Sequence, residues 1–292
     1  LASANDAYTY SQSAASAVAY QDLTAIAASK ADTAVDVFVY DTRKDSDGGA
    51  WRKRCQHTSW YNETLNTATR GSRKEFPAVA VIVAEANQVT IYDGDDPSLP
   101  MWMVFNNEGN GWLRSATQVS VTAINGIIWL AADASGAFEF SLIAEVAKQY
   151  ISSGARPNLG DVSLRNNPNG WGSYDSSLSI VNSTVNDVAM AVLPNAPIDP
   201  ATQLPIPTIA VATDGNSTYS VSVITDSGSV YDVASDSTGT AVSVAITNDK
   251  ELVVVRSDGT VYVWNDVASI TSDGVAPDTT ITDTLGTVSM VA

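Results

Sequence analysis

Cys55 and His57 are the one cysteine and the one histidine of this 292-residue chain, two positions apart in WRKRCQHTSWYNET. A nucleophilic pair needs the thiolate within hydrogen-bond reach of the imidazole, but residues two apart on a strand point the same way without necessarily touching, which favours a structural pair over catalysis. One cysteine excludes an internal disulfide and any C-x-x-C redox or metal site. One histidine excludes multi-histidine metal centres and leaves a triad only through His57. The sequence carries no G-x-S-x-G elbow, phosphate loop, G-x-G-x-x-G or H-E-x-x-H. No catalytic, cofactor or metal residue is assigned on these grounds.

Two carboxylate-rich turns, DSDGGAW from Asp45 and YDGDDP from Tyr92, gather oxygens on sharply bending loops of the kind a hard cation such as calcium takes, although neither has the twelve-residue EF-hand pattern. Solvated turns are the simpler reading. Trp112 in NNEGNGWLRS and Trp171 in NNPNGWGSYD lie in Gly/Asn loops, where an indole could stack on a sugar ring; core filling is the commoner use of tryptophan. Arg52, Lys53, Arg54, Arg70, Arg73 and Lys74 form a basic segment that could meet an acidic face of another subunit.

What would position these residues is a series of short strands. VDVFVYD from Val35 alternates apolar and polar side chains. Three-strand runs follow at AVAVIVAE, QVTIYDGD and MWMVF; at VSVTAIN, IIWLAAD and AFEFSLI; at TIAVATD, YSVSVIT and SVYDVA; and at VSVAITN, ELVVVRS and TVYVWND. Asn125-Gly126, Ser227-Gly228 and Asp258-Gly259 supply the turn residues that positive φ requires. Four antiparallel units with a further strand-like TVSMVA from Thr287 predict a mainly β chain of blade-like repeats, a β-propeller with a β-sandwich as the alternative. Residues 150–178 and 193–207 interrupt the repeats as long irregular loops, the second with five prolines.

Residues 1–34 differ in texture. Seventeen of them are Ala or Ser, with neither Gly nor Pro, which predicts a helical stalk too poor in apolar spacing to stand alone. Small side chains let such helices approach closely, so Tyr8, Val18, Leu23 and Ile26 are expected between subunits of a homo-oligomer, a trimer first. The expected divisions are therefore the stalk at 1–34, a strand with a basic loop at 35–76, and the β-repeat domain at 77–292. The opening Leu1 and the abrupt end suit a processed product or a portion of a longer protein.

Hydrophobic residues make up 45% and charged residues 16%, which excludes a disordered polyelectrolyte. The net charge of −17 argues against nucleic acid as a general partner. No apolar run approaches the roughly 18 residues that span a bilayer, so membrane insertion is not expected.

The block from DVFVYDTRKDSDGGAW through GDDPSLPMWMVF, with INGIIWLAA, NDVAMAVLPNAPID and LPIPTIAVAT, resembles structural proteins of marine short-tailed bacteriophages, cyanophage- or pelagiphage-like, over about residues 35–213. The resemblance implies a non-enzymatic tail or tail-fibre component acting in assembly and host attachment, located in the virion and extracellular, without a cofactor. Its partners would be itself, other tail proteins and a host surface glycan. It attaches no catalytic residue to this block. The alternative is a carbohydrate-binding or glycan-cleaving propeller module, with Trp112 or Trp171 beside paired carboxylates.

Overall fold

The computed structural model describes residues 33–107, 111–114, 116–216, 218–234 and 239–282. The expected stalk contacts Tyr8, Val18, Leu23 and Ile26, and the strand expected from Thr287, lie outside the described residues; Ala34 already opens the first strand.

Four antiparallel meanders follow one another along the chain. Sheet I consists of β1 (Ala34–Asp41), β2 (Val79–Glu85), β3 (Gln88–Asp93) and β4 (Met101–Asn106). Sheet II adds a fifth strand: β5 (Thr117–Ile124), β6 (Ile127–Asp133), β7 (Gly136–Ser141), β8 (Val146–Ile151) and β9 (Gly154–Pro157). Sheet III is β10 (Val185–Ala191), β11 (Thr208–Thr213), β12 (Tyr219–Ile224) and β13 (Val230–Ala234), and sheet IV is β14 (Ala241–Ile246), β15 (Leu252–Arg256), β16 (Val261–Trp264) and β17 (Thr279–Ile281).

The central strands are apolar on both faces because both faces are covered. In β2, Ile82 and Ala84 enter the core shared with sheet II, while Val81 and Val83 join Leu99 on the opposite face. Tight turns carry the chain between strands. Asn125 and Gly126 both take positive φ, 54° and 72°, and a β-carbon at residue 126 would press on Ile143 at 2.8 Å, so glycine is required there for conformation and for space.

The sheets pack in series through their first strands, β1 on β5, β5 on β10 and β10 on β14. Each joint has its own core: Ile82, Phe105 and Phe140 between I and II; Trp129, Val188 and Val211 between II and III; Val223, Val254 and Trp264 between III and IV. Four sheets stacked in sequence are the blade-like arrangement expected, and are not the two facing layers of a sandwich.

Two expected boundaries move. β1 pairs with β2, so a division at 76/77 would separate β1 from the other three strands of sheet I. The intervening residues form short 3-10 turns, Ala50–His57 and Trp60–Asn62, whose Trp51, Cys55 and Trp60 are buried with Phe76. The Phe76 and Trp60 rings lie 4.8 and 5.3 Å from that of Trp102, both edge-on. Part of the 150–178 loop continues sheet II, because β9 pairs with β8 and Ala155 bridges to Asp175. Residues 193–207 remain irregular, held by the bridge from Ile198 to Pro205.

A polar device recurs at the joints. Every first strand bulges, with register breaks at 34/36, 118/120, 185/187 and 241/243, and the residue after each bulge is Asp36, Ser120, Asp187 or Ser243. Asp36 accepts the Val121 N–H of sheet II at 2.8 Å as well as the Val37 N–H. Asp187 accepts four bonds: the Ser120 hydroxyl of sheet II and the Ser243 hydroxyl of sheet IV, each at 2.8 Å, and the N–H groups of Val188 and Val244. These carboxylates tie adjacent sheets where the bulges leave backbone donors without ladder partners.

Candidate functional site

The structure separates Cys55 from His57. Cys55 is buried, its Sγ 3.4 Å from the Trp51 carbonyl, and burial pushes the thiol up to about 12, which leaves it protonated and unreactive at neutral pH. His57 is exposed and its Nδ1 lies 2.9 Å from the Arg54 carbonyl. Each side chain meets a backbone carbonyl, and the two do not pair with one another.

The acidic turns are bonded within the chain. Asp45 is buried and accepts the Tyr40 hydroxyl at 2.6 Å, the Trp51 indole N–H at 2.7 Å and the Asn125 N–H at 2.8 Å. Burial raises its carboxyl above the ordinary range, against the lowering effect of these donors. Asn125 in turn accepts the Ser46 N–H and donates to the Pro205 carbonyl, so one turn joins the connections of sheets I, II and III. In the second turn Asp93 and Asp95 both receive Arg73, and Asp95 also receives the Ala78 and Val79 N–H groups. These oxygens already have protein donors, and among the described residues no group of three or more metal-ligating side chains is found.

The basic segment is a surface only in part. Arg70 is buried, stacks on Trp102 at 4.4 Å and donates to the carbonyls of Trp102, Arg73 and Lys74. Its partner Glu63 also receives Arg165, so one carboxylate serves two guanidiniums that are each 1% exposed. Desolvation brings Arg70 down to about 10 and raises Glu63. Arg52 donates to the Gly49 and Phe76 carbonyls and Arg54 to Asp47 and the Thr202 carbonyl, while Lys74 lies 4.8 Å over the Tyr61 ring. Lys53 is exposed. Of the expected subunit contact, Arg70 is withdrawn because it is interior; Arg54 and Arg73 meet acids of this chain, and Lys53 and Lys74 remain on the surface.

The tryptophans divide likewise. Trp112 is fully buried and packs 5.1 Å from Phe140, which removes it as a glycan platform. Trp171 is half-buried, edge-on to Phe138, with the Arg156 guanidinium 5.4 Å from its ring.

Sequence reasoning did not single out the cavities. One groove, about 210 Å³ with a neighbouring pocket of about 420 Å³, runs between sheets II and III. Ile127, Glu139, Lys148 and Ile206 line both parts. Glu139 accepts the Tyr150 hydroxyl at 2.9 Å and lies 3.8 Å from Lys148, and Asp226 stands on the opposite wall. The groove offers mixed charge and aliphatic walls, a surface for binding. A second cavity of about 480 Å³ lies where the ends of β5, β10 and β14 converge with the turn after β1, edged by Lys44 and Lys250. Residues 193–207 wall both cavities, so the proline-rich segment is the sequence signal that marks them.

No family model matches the chain, and no curated protein matches it. Among solved structures it is similar to Kluyveromyces marxianus Hsv2, at 8% identity and a TM-score of 0.36 over 71% of this chain and 52% of that one. It is also similar to the computationally designed Ika4 protein, at 12% and 0.35 over 70% and 97%, and to the Neurospora crassa Pan2 WD40 domain, at 10% and 0.38 over 85% and 55%. The chain thus spans about half the length of the Hsv2 chain.

Proposed function

We propose that this chain is a non-enzymatic structural and binding module, a set of β-propeller blades within a tail or tail-fibre component of a short-tailed bacteriophage, acting in particle assembly and host attachment. The observation that carries the non-enzymatic part is that the side chains chemistry would need serve as ties. Asp45, Asp93 and Asp95 hold neighbouring turns, Asp36 and Asp187 hold neighbouring sheets, and Cys55 is buried. Tail components transmit force and present surfaces, and a series of sheets cross-tied by carboxylates suits that task. The virion assignment rests on the sequence resemblance over residues 35–213, with a location in the particle and other tail proteins as partners. Mass spectrometry of purified particles from the source tests it: the chain is expected at stoichiometric abundance beside tail proteins, and its absence from the particles would refute the assignment.

A second reading, a carbohydrate-binding module, is favoured by the groove between sheets II and III, where Glu139, Lys148 and Asp226 could bond sugar hydroxyls against the Ile127 and Ile206 walls. A glycan array separates the two. Specific retention lost on Glu139→Gln would establish the groove as the attachment site, and reducing-sugar release abolished by one carboxylate substitution would overturn the non-enzymatic reading.

A further inference from the structure

Two arginines meet at sheet II without an acid between them. Gln149 on β8 and Arg156 on β9 are register partners, and Arg114 reaches the same place from the turn before β5. Gln149 is buried, and its Nε2 donates to the Ser135 carbonyl at 2.7 Å, which turns its Oε1 toward the arginines. That one neutral oxygen accepts Arg114 at 3.1 Å and two N–H groups of Arg156 at 3.0 and 2.9 Å. Elsewhere Arg43, Arg54, Arg70, Arg73, Arg165 and Arg256 each meet a carboxylate, and Arg52 lies on carbonyls. Among the described residues Arg114 and Arg156 have no carboxylate partner, in a chain with 32 acids to 15 bases.

Like charges sharing a neutral acceptor repel one another. Desolvation first, and then the Arg114 charge, hold Arg156 below the ordinary guanidinium value. The pair is nonetheless fixed in place: the Arg156 guanidinium lies 4.4 Å over the Tyr174 ring and 5.4 Å from that of Trp171, and Arg114 sits at φ 51°, where residues other than glycine are uncommon. Beside it is a cavity of about 250 Å³ lined by Arg114, Ser135, Gln149, Ile151, Tyr174 and Ser183. A planar guanidinium matches a carboxylate with two parallel bonds, so an anionic oxygen pair in this cavity would supply the charge that the arginines lack. The remaining walls suit a sugar ring: Tyr174 is 40% exposed, Ile151 is aliphatic, and Ser135 and Ser183 carry hydroxyls. The volume is at the lower end of ligand sites, which run from roughly 300 Å³ upward, and admits one ring.

We propose that Arg114 and Arg156 bind the carboxylate of an acidic sugar, a hexuronate residue, with Tyr174 against its ring. Gln149 is the positioning residue, since its oxygen holds the two guanidiniums side by side. The site is separate from the groove between sheets II and III, because Lys148 of that groove and Gln149 are consecutive on β8 and point to opposite faces. It rests neither on the virion assignment nor on that groove: a chain absent from particles that still binds uronate would sink the assignment and leave the site. A net charge of −17 repels anions in general, so uronate binding reports the local arginine pair.

Titration of the full chain with galacturonate, followed by nuclear magnetic resonance, is the test, with galactose and sodium sulfate as the comparison ligands. Saturable shifts are expected at the Arg156 Nε–H and the Gln149 side-chain amide of the wild type, a readout that needs no substitution. Galactose should give none, and sulfate should bind several-fold more weakly than galacturonate. Arg114→Gln and Arg156→Gln are each expected to weaken galacturonate by about 10-fold or more with an unchanged far-ultraviolet spectrum. Arg156→Lys should also lose affinity, because lysine keeps the charge without the fork. Glu139→Gln, in the neighbouring groove, should change nothing. Absence of saturable shifts, equal binding of sulfate or of galactose, or full affinity in the arginine variants would overturn the proposal. So would a loss confined to Glu139→Gln, which would move the sugar to the groove.

Discussion

At the scale of single residues the chain buries charge in places where only structure can be the reason. Glu63 alone neutralises Arg70 and Arg165, both of which are otherwise bonded to backbone carbonyls of sheet I and its flanking turns. Removing one member of a buried set leaves the others without compensation, a loss of about 3–5 kcal/mol. Glu63→Ala is accordingly expected to lower the free energy of unfolding measured in urea by that amount, and a value within experimental error of wild type would show that the guanidiniums are held by carbonyls alone. Asp232 behaves oppositely. Burial, with the Asp273 carboxylate nearby, raises its pKa to about 6, against the Ser222 hydroxyl that donates to it at 2.6 Å. A raised carboxyl binds its proton more tightly in the folded state, so its contribution is complete below the ordinary carboxylate range and is lost as pH rises through about 6. Asn in its place imitates the protonated form. Asp232→Asn is therefore expected to be more stable than wild type at pH 7.5 by about 1 kcal/mol, allowing for the partial exposure of the site. The difference should shrink to nothing near pH 4; a difference constant from pH 4 to 8 would assign the effect to something other than this titration.

At the scale of strands and joints, the Asp187 carboxylate ties three sheets and the Asp36 carboxylate two. Buried donors left without acceptors cost about 1–3 kcal/mol each, so Asp187→Ala, which strands the Val188 and Val244 N–H groups, should lose about 2–4 kcal/mol and Asp36→Ala less. Amide exchange at Val244 should accelerate in the first variant and at Val121 in the second; equal acceleration at both amides in either variant would mean that the sheets open together and that the ties are not local. How much of this was readable differs by element. β1–β7 and β11–β16 stand in the sequence as alternating or continuous apolar runs between turn residues, and they are found where those runs lie. β8 and β10 escaped, because Lys148 and Gln149 interrupt the first and Asn186 and Asp187 open the second, and a strand whose polar residues serve a bulge or a neighbouring sheet loses its period of two. The basic segment misled for a related reason. Charge counted along a chain reads as surface, whereas Arg70 and Arg165 became interior because carbonyls near each guanidinium could take its donors. Asp36, Ser120, Asp187 and Ser243 were legible in principle as a short polar residue before valine in each first strand, but one sequence does not show that the spacing is a joint until the sheets are seen to meet.

At the scale of the whole molecule the question is which forces hold copies together, and salt gives the sign. If basic residues 52–74 met the acidic C-terminal half of a neighbour, added salt would screen the attraction and weaken the assembly. The structure leaves little of that attraction, since Arg54 and Arg73 are paired with Asp47, Asp93 and Asp95 of the same chain and Arg70 is interior. Two copies at −17 each repel one another. Screening should then act on the repulsion, and an assembly of copies is expected to tighten severalfold as sodium chloride is raised from about 0.05 to 0.5 M, over which the Debye length falls from more than 10 Å to less than 5 Å. The same experiment on a chain lacking residues 1–32 tests whether the Ala/Ser-rich segment holds the copies. An assembly that persists and still tightens with salt places the contact on the β-sheets. A monomer at every salt concentration would place it in residues 1–32, and a wild-type assembly that loosens with salt would return the contact to the charged surface.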